Sequence, residues 1–290
     1  MIVYDNKSYL RLVFAFTGTV IPRMLPRILF FMIWAGGISS LYAFGILDKG
    51  VKVDMVVFTI VGLAMGLLLV FRTNSSYDRY WEGRKLWGGC VNHSRSFSFL
   101  LNTVIPSSDK GLRSFMAEHL AAFHHALKEH LRDGVKEEHF KGLRIGNAEA
   151  YLEEKHIPNA LMRDLHLKLS ETGKNYAIPV AQTQMLLTHL SELTNNMGGM
   201  ERIRNTPVPF AYASHLTFFM FLYFMALPFG LYHSLQWLAI PALGIIVLVM
   251  DGINEIGIEI EDPFGDDPND LPTDKICATI TDNVRTILGE

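Results

Sequence analysis

Long apolar runs alternate with strongly polar ones along this chain. A helix that crosses a bilayer needs roughly 20 mostly apolar residues. Residues 27–47 form one such run, 53–71 a second, 210–232 a third and 235–250 a fourth. The fourth has two readings. It ends at Met250, or it continues to Ile258 and carries Asp251, Asn254 and Glu255 with it. Between the second and third runs, residues 72–207 are too polar to enter hydrocarbon. Within the second run Leu63, Leu67 and Phe71 recur one helical turn apart and form a stripe on one face. Periodicity alone leaves that stripe as ordinary packing of a membrane helix. Gly62, Ala64 and Gly66 lie beside it and admit a close neighbour.

The polar region also carries a helical period. Leu112, Phe115, Met116, Leu120, Phe123, Leu127 and Leu131 share one face, and so do Leu186, Leu190, Leu193 and Met197. Gly198-Gly199 reads as the break after the second of these. No run alternates like a strand. A bilayer admits only helices or a closed barrel, so the chain is expected to be all-α. Residues 10–24 are apolar but interrupted by Arg11, Pro22 and Arg23, with no cleavage site after them. They read as an amphipathic helix at the membrane surface, or as a soluble helix docked on the rest. The expected organisation is an interfacial segment 1–26, membrane helices in 27–71, a helical domain 72–207, membrane helices in 208–258 and a terminal segment 259–290.

Lys and Arg collect before the first run, after the second and before the third. The turn between the third and fourth has neither. That asymmetry predicts a multi-pass inner-membrane protein with both termini and the polar region in the cytoplasm. A net charge of −3 gives no reason to invoke nucleic acid. The two cysteines, Cys90 and Cys277, are too far apart to suggest a metal motif or a disulfide framework.

Candidate chemistry is sparse. His119, His124, His125 and His130 cluster but match no metalloenzyme spacing, and Glu153 with His156 makes a single E-x-x-H where a di-iron bundle needs two. No phosphate loop or nucleophile motif occurs. The acidic run Asp266, Asp267, Asn269, Asp270 offers hard oxygen ligands of the kind Ca²⁺ prefers, and equally makes a solvated turn.

Three motifs then carry a resemblance. They are Phe71-Arg-Thr-Asn-Ser-Ser-Tyr-Asp-Arg-Tyr-Trp-Glu-Gly-Arg84, Glu201-Arg-Ile203 with Thr206-Pro-Val-Pro-Phe-Ala-Tyr212, and Asp262-Pro-Phe-Gly265 with Asn269-Asp-Leu-Pro272. In this order they resemble the bestrophin family in its bacterial form. The resemblance implies a homopentameric channel with four spanning helices and a helical cytosolic domain per subunit. It implies a pore neck of three apolar rings, which fall on Leu63, Leu67 and Phe71. It also implies a second, cytosolic constriction, for which Ile178 and Val180 flanking Pro179 are the candidates. The family's Ca²⁺ site follows an Asn-Pro-Phe-Gly motif that begins here with Asp262, and Pro268 interrupts the acidic run. Ca²⁺ at Asp266, Asp267, Asn269 and Asp270 is therefore only a candidate, and no cofactor is required.

The function expected is passive conduction of small monovalent ions. Net acidity tilts the expectation towards cations, with chloride as the alternative. Two other classes compete: a membrane-bound metal enzyme using the His119–His130 cluster, and a membrane scaffold that conducts nothing.

Overall fold

The computed structural model describes residues 16–47, 53–146 and 148–290. These are mostly helical, with no strand among them. The chain divides into two compact units. Among the described residues, one contains 16–47, 53–80, 207–262 and 267–269, the other 81–146, 148–206, 263–266 and 270–290.

In the first unit, α1 (Ile21–Ala43) carries Pro22 in its first turn, where the missing N–H costs nothing because that group has no helical partner. Residues 21–24 thus form the first turn of the helix that carries the first apolar run, with Met24 fully buried. Residues 10–15 of the expected surface helix lie outside the described residues. Helix α2 (Met55–Val104) begins in this unit and continues unbroken through the change from apolar to polar sequence at Arg72. A further pair is α7 (Phe210–Leu235) and α8 (Ala239–Glu261), joined by a 3-10 turn at Gln236–Leu238. Helix α8 runs past Met250, so Asp251 and Asn254 belong inside it and are buried. The helix therefore continues through the residues that the longer reading of the fourth run includes.

These four helices are held by apolar burial and by side chains reaching neighbouring carbonyls. Phe58, Met65 and Leu69 of α2 pack with Leu216, Met220 and Phe224 of α7. Tyr212 donates its hydroxyl to the Leu68 carbonyl at 2.6 Å, and Tyr223 to that of Phe58 at 3.3 Å. Trp34 donates to the Met225 carbonyl at 2.9 Å. Where two helices meet without room for a side chain, glycine is used. A Cβ on Gly230 would lie 2.7 Å from the Phe58 ring and 2.9 Å from Met55 Sδ. Replacing Gly230 with valine should therefore cost about 1–3 kcal/mol through overpacking, read as a lowered thermal midpoint of the purified protein in detergent.

The second unit is built from the later part of α2, α3 (Lys110–His130), α4 (Ala148–Leu152), α5 (Ile157–Asn175), α6 (Val180–Asn205) and α9 (Thr273–Leu288). The expected apolar faces are present: Met116, Leu120, Phe123 and Leu127 of α3 and Leu186, Leu190 and Leu193 of α6 are fully buried. The expected break at Gly198-Gly199 is not. Helix α6 runs through both glycines, and a Cβ on Gly199 would meet Leu86 at 2.9 Å. That glycine permits a close approach and does not end a helix. The terminal segment forms a strongly amphipathic helix, α9, which buries Cys277, Ile280 and Val284. It ends at Gly289 in the left-handed conformation that glycine tolerates best.

Candidate functional site

The membrane part of α2 has two sharply different faces. Phe58, Met65, Leu69, Arg72 and Ser76 recur at helical spacing and are all buried. The opposite face carries Leu63, Leu67 and Phe71, which are 78%, 56% and 57% exposed. Val56 and Ile60 extend the exposed face towards the start of the helix. Asn74, Ser75 and Asp78, also exposed, extend it the other way. All three predicted stripe residues therefore lie on a face that the chain does not cover.

Arg72 follows Phe71 directly yet points into the unit. It is 4% exposed, donates to Asn254 Oδ1 at 2.6 Å and lies 3.8 Å from Glu261. Consecutive helical residues differ by about 100° in direction, so the ring of Phe71 faces outward while the guanidinium is held by α8. The remaining charges of α8 near the apolar region are also paired. Arg27 lies 3.0 Å from Asp251 and 2.8 Å from Glu255. Ionisable groups at membrane depth are costly unless they face protein and have partners, and these do. The exposed stripe is consequently free of charge from Val56 to Phe71. His215 is exposed on α7, with its ring tilted against that of Phe219 at a centroid distance of 4.4 Å. Arg72, with its partner Asn254, was not recognised from sequence as part of the apparatus behind the stripe. A charged residue in register with Met65 and Leu69 was the available signal.

The two residues beside Pro179 differ. Ile178 is buried within its own unit, whereas Val180, the first residue of α6, is exposed.

The acidic run is divided between the two units, and its members have neighbours within their own unit. Asp266 pairs with Arg132 at 3.1 Å, and Asp267 with Arg23 at 2.6 Å. Asn269 donates its amide to the Gly18 carbonyl at 3.0 Å and to Glu259 at 2.9 Å, so its nitrogen side is engaged. Asp270 is buried, with Oδ2 2.7 Å from where a Cβ on Gly265 would sit. Ca²⁺ needs six to eight oxygens, and within each unit an arginine already competes for the carboxylate of Asp266 or Asp267.

The four clustered histidines of α3 likewise separate. His119 Nδ1 meets the Phe115 carbonyl at 2.9 Å, and the two rings stack at 3.7 Å. His124 is fully buried between the Leu120 carbonyl and Ser94, and burial pulls its pKa down to about 4. His125 faces Thr281 at 3.3 Å. His130 alone joins other ligating groups, namely His156 and Glu201. Successive positions along a helix point in different directions, so proximity in sequence did not become proximity of ring nitrogens.

Comparison with known proteins agrees with this architecture. The family model described as bacterial and fungal bestrophin protein matches residues 1–286. A voltage-dependent anion channel-forming protein of Synechocystis is 36% identical, over 93% of this chain and 89% of the relative. One from Nostoc is 33% identical, over 96% of this chain and 91% of its own length. A crystal structure of a variant bacterial bestrophin homolog from Klebsiella pneumoniae superposes with a TM-score of 0.86 at 25% identity, covering 92% of this chain and all of that one. Matched over nearly its whole length by model, relatives and fold alike, this chain belongs to the bacterial and fungal bestrophin family.

Proposed function

We propose that this chain is one subunit of a passive ion channel in which five copies surround a pore lined by the exposed face of α2. The observation that carries this reading is the uncovered apolar stripe of Leu63, Leu67 and Phe71, set against a fully packed opposite face of the same helix. Five copies would stack these side chains as three apolar rings. A narrow apolar ring gates by dewetting, because an ion that sheds water there finds no replacement ligand. Val180, exposed at the start of α6, is the better candidate for a second constriction, since Ile178 is committed to its own unit. The uneven distribution of Lys and Arg supports an inner-membrane location with the termini on the cytoplasmic side.

The tilt towards cations finds no support. The relatives are named as anion channel-forming proteins. The acidity that motivated the tilt is engaged by arginine at Asp266 and Asp267. Anions are the reading adopted here.

Reconstitution in planar bilayers under a KCl gradient tests it. The expected reversal potential lies near the equilibrium potential of chloride. A reversal near that of potassium overturns anion preference. Absence of any current in protein that is folded and inserted overturns conduction, and leaves the scaffold.

A further inference from the structure

The second unit contains a side-chain arrangement that the proposed channel reading does not invoke. His130 is the last residue of α3, His156 caps the start of α5, and Glu201 lies on α6. Three separate helices thus bring two imidazoles and one carboxylate together. Glu201 Oε1 lies 3.1 Å from His130 Nε2 and 2.9 Å from His156 Nε2, and the two rings are 4.4 Å apart. Among the described residues this is the one group of at least three such side chains whose ligand atoms all converge within 4.8 Å.

We infer that His130, His156 and Glu201 form a binding site for a transition-metal dication of the Zn²⁺ type. The donor set is two neutral nitrogens and one carboxylate oxygen, which suits zinc and its neighbours and is poor for Ca²⁺ or Mg²⁺. Around a tetrahedral zinc with bonds of about 2.0–2.1 Å, donor atoms stand about 3.4 Å apart. The observed spacings need to open by only a few tenths of an ångström. All three side chains are partly exposed, so an ion can reach them and water can complete the coordination.

The surroundings hold two of the ligands in place. Arg204, on α6 with Glu201, donates to the carbonyls of His130 and Arg132 and ties the end of α3 to α6. Arg202, also beside Glu201, is directed at Glu82 at 2.6 Å and does not neutralise the site. The third ligand carries a cost. His156 Nδ1 accepts from the Asn159 N–H at 3.3 Å, so the neutral ring keeps its proton on Nε2, aimed at Glu201. Metal at Nε2 moves that proton to Nδ1 and gives up this long cap contact. Two N–H···O hydrogen bonds to one carboxylate oxygen are exchanged for three coordinate bonds, with no net change in bound protons when both rings start neutral.

The test is metal binding by the purified full-length protein in detergent, freed of any affinity tag that contains histidine. Zn²⁺ titration by calorimetry, with metal content by elemental analysis, should show one ion per chain. Glu201→Gln keeps the shape and the hydrogen-bonding capacity but removes the anionic ligand. His130→Ala removes a nitrogen. Each should weaken Zn²⁺ binding tenfold or more. Co²⁺ should give visible absorption in the parent protein that Glu201→Gln abolishes. Lack of uptake by the parent protein, or undiminished uptake by both variants, overturns the assignment. Because Glu201→Gln preserves packing, weakened binding in that folded variant reports the lost ligand and not a lost fold.

Discussion

Trimming Leu67 to alanine is expected to raise ion flux through reconstituted protein on the order of tenfold, equivalent to about 1.4 kcal/mol off the barrier. Leu67 is the middle of the three stripe positions, so in the proposed pentamer five alanines there would widen the apolar neck at its centre. Less apolar wall means water persists in the constriction, and an ion passes with more of its hydration shell. The substitution should leave the fold intact. Leu67 is more than half exposed, at 56%, so no core cavity opens, and alanine is the better helix former. The control lies on the same helix one turn-face away. Met65 and Leu69 are only 3% and 2% exposed, and their truncation should cost about 2–5 kcal/mol of stability. A gate predicts raised flux with unchanged stability for Leu67→Ala and lost stability for Leu69→Ala. Unaltered flux in alanine variants at Leu63, Leu67 and Phe71 would place the constriction elsewhere.

The second large effect is expected at Glu118. Its side chain is completely buried in the second unit and takes both hydrogen bonds of a bidentate pair from Arg285, at 2.8 and 2.7 Å. The Arg144 backbone N–H adds a third at 2.9 Å. Arg285→Ala strands a buried carboxylate and should cost about 3–5 kcal/mol. Glu118→Gln keeps the shape and should cost less. Burial pushes the Glu118 carboxyl upward, but the hydrogen bonds from Arg285 and from the Arg144 backbone outweigh it and hold the group below its ordinary range. A depressed folded-state pKa stabilises above the unfolded value, about 4.3 for glutamate, and that contribution is lost as pH falls through the folded value. The second unit should therefore weaken on acidification, with a shallower acid limb in Glu118→Gln. Cys277 offers the readout. It is buried on the same helix as Arg285, and burial pushes its thiol up to about 12, so it should react with maleimide only when α9 detaches. Labelling of Arg285→Ala at the parent's rate would remove the pair from the stability of this helix.

How far the residues could be read by themselves varied with the physics involved. Membrane runs are legible because hydrocarbon imposes length and apolarity on any segment that crosses it. Helical periods at Leu112–Leu131 and Leu186–Met197 are legible because each face is buried by one continuous core. The family motifs, running from Phe71 to Pro272, needed no coordinates to be noticed. Other features were misread for identifiable reasons. Gly198-Gly199 looked like a break, because glycine is equally the residue of turns and of close contact, and only Leu86 distinguishes the two. The histidines of α3 looked like one cluster, although a helix turns each ring towards a different neighbour.

Sequence alone was enough for the helical class, the four apolar segments, the family and the spacing of Leu63, Leu67 and Phe71, because each follows from composition or period along a single segment. The tertiary structure decided which face of α2 stays uncovered, which acidic groups are already paired, and that His130, His156 and Glu201 meet. Those outcomes depend on partners far away in the chain, and a one-dimensional pattern states that a face exists without naming what will pack against it.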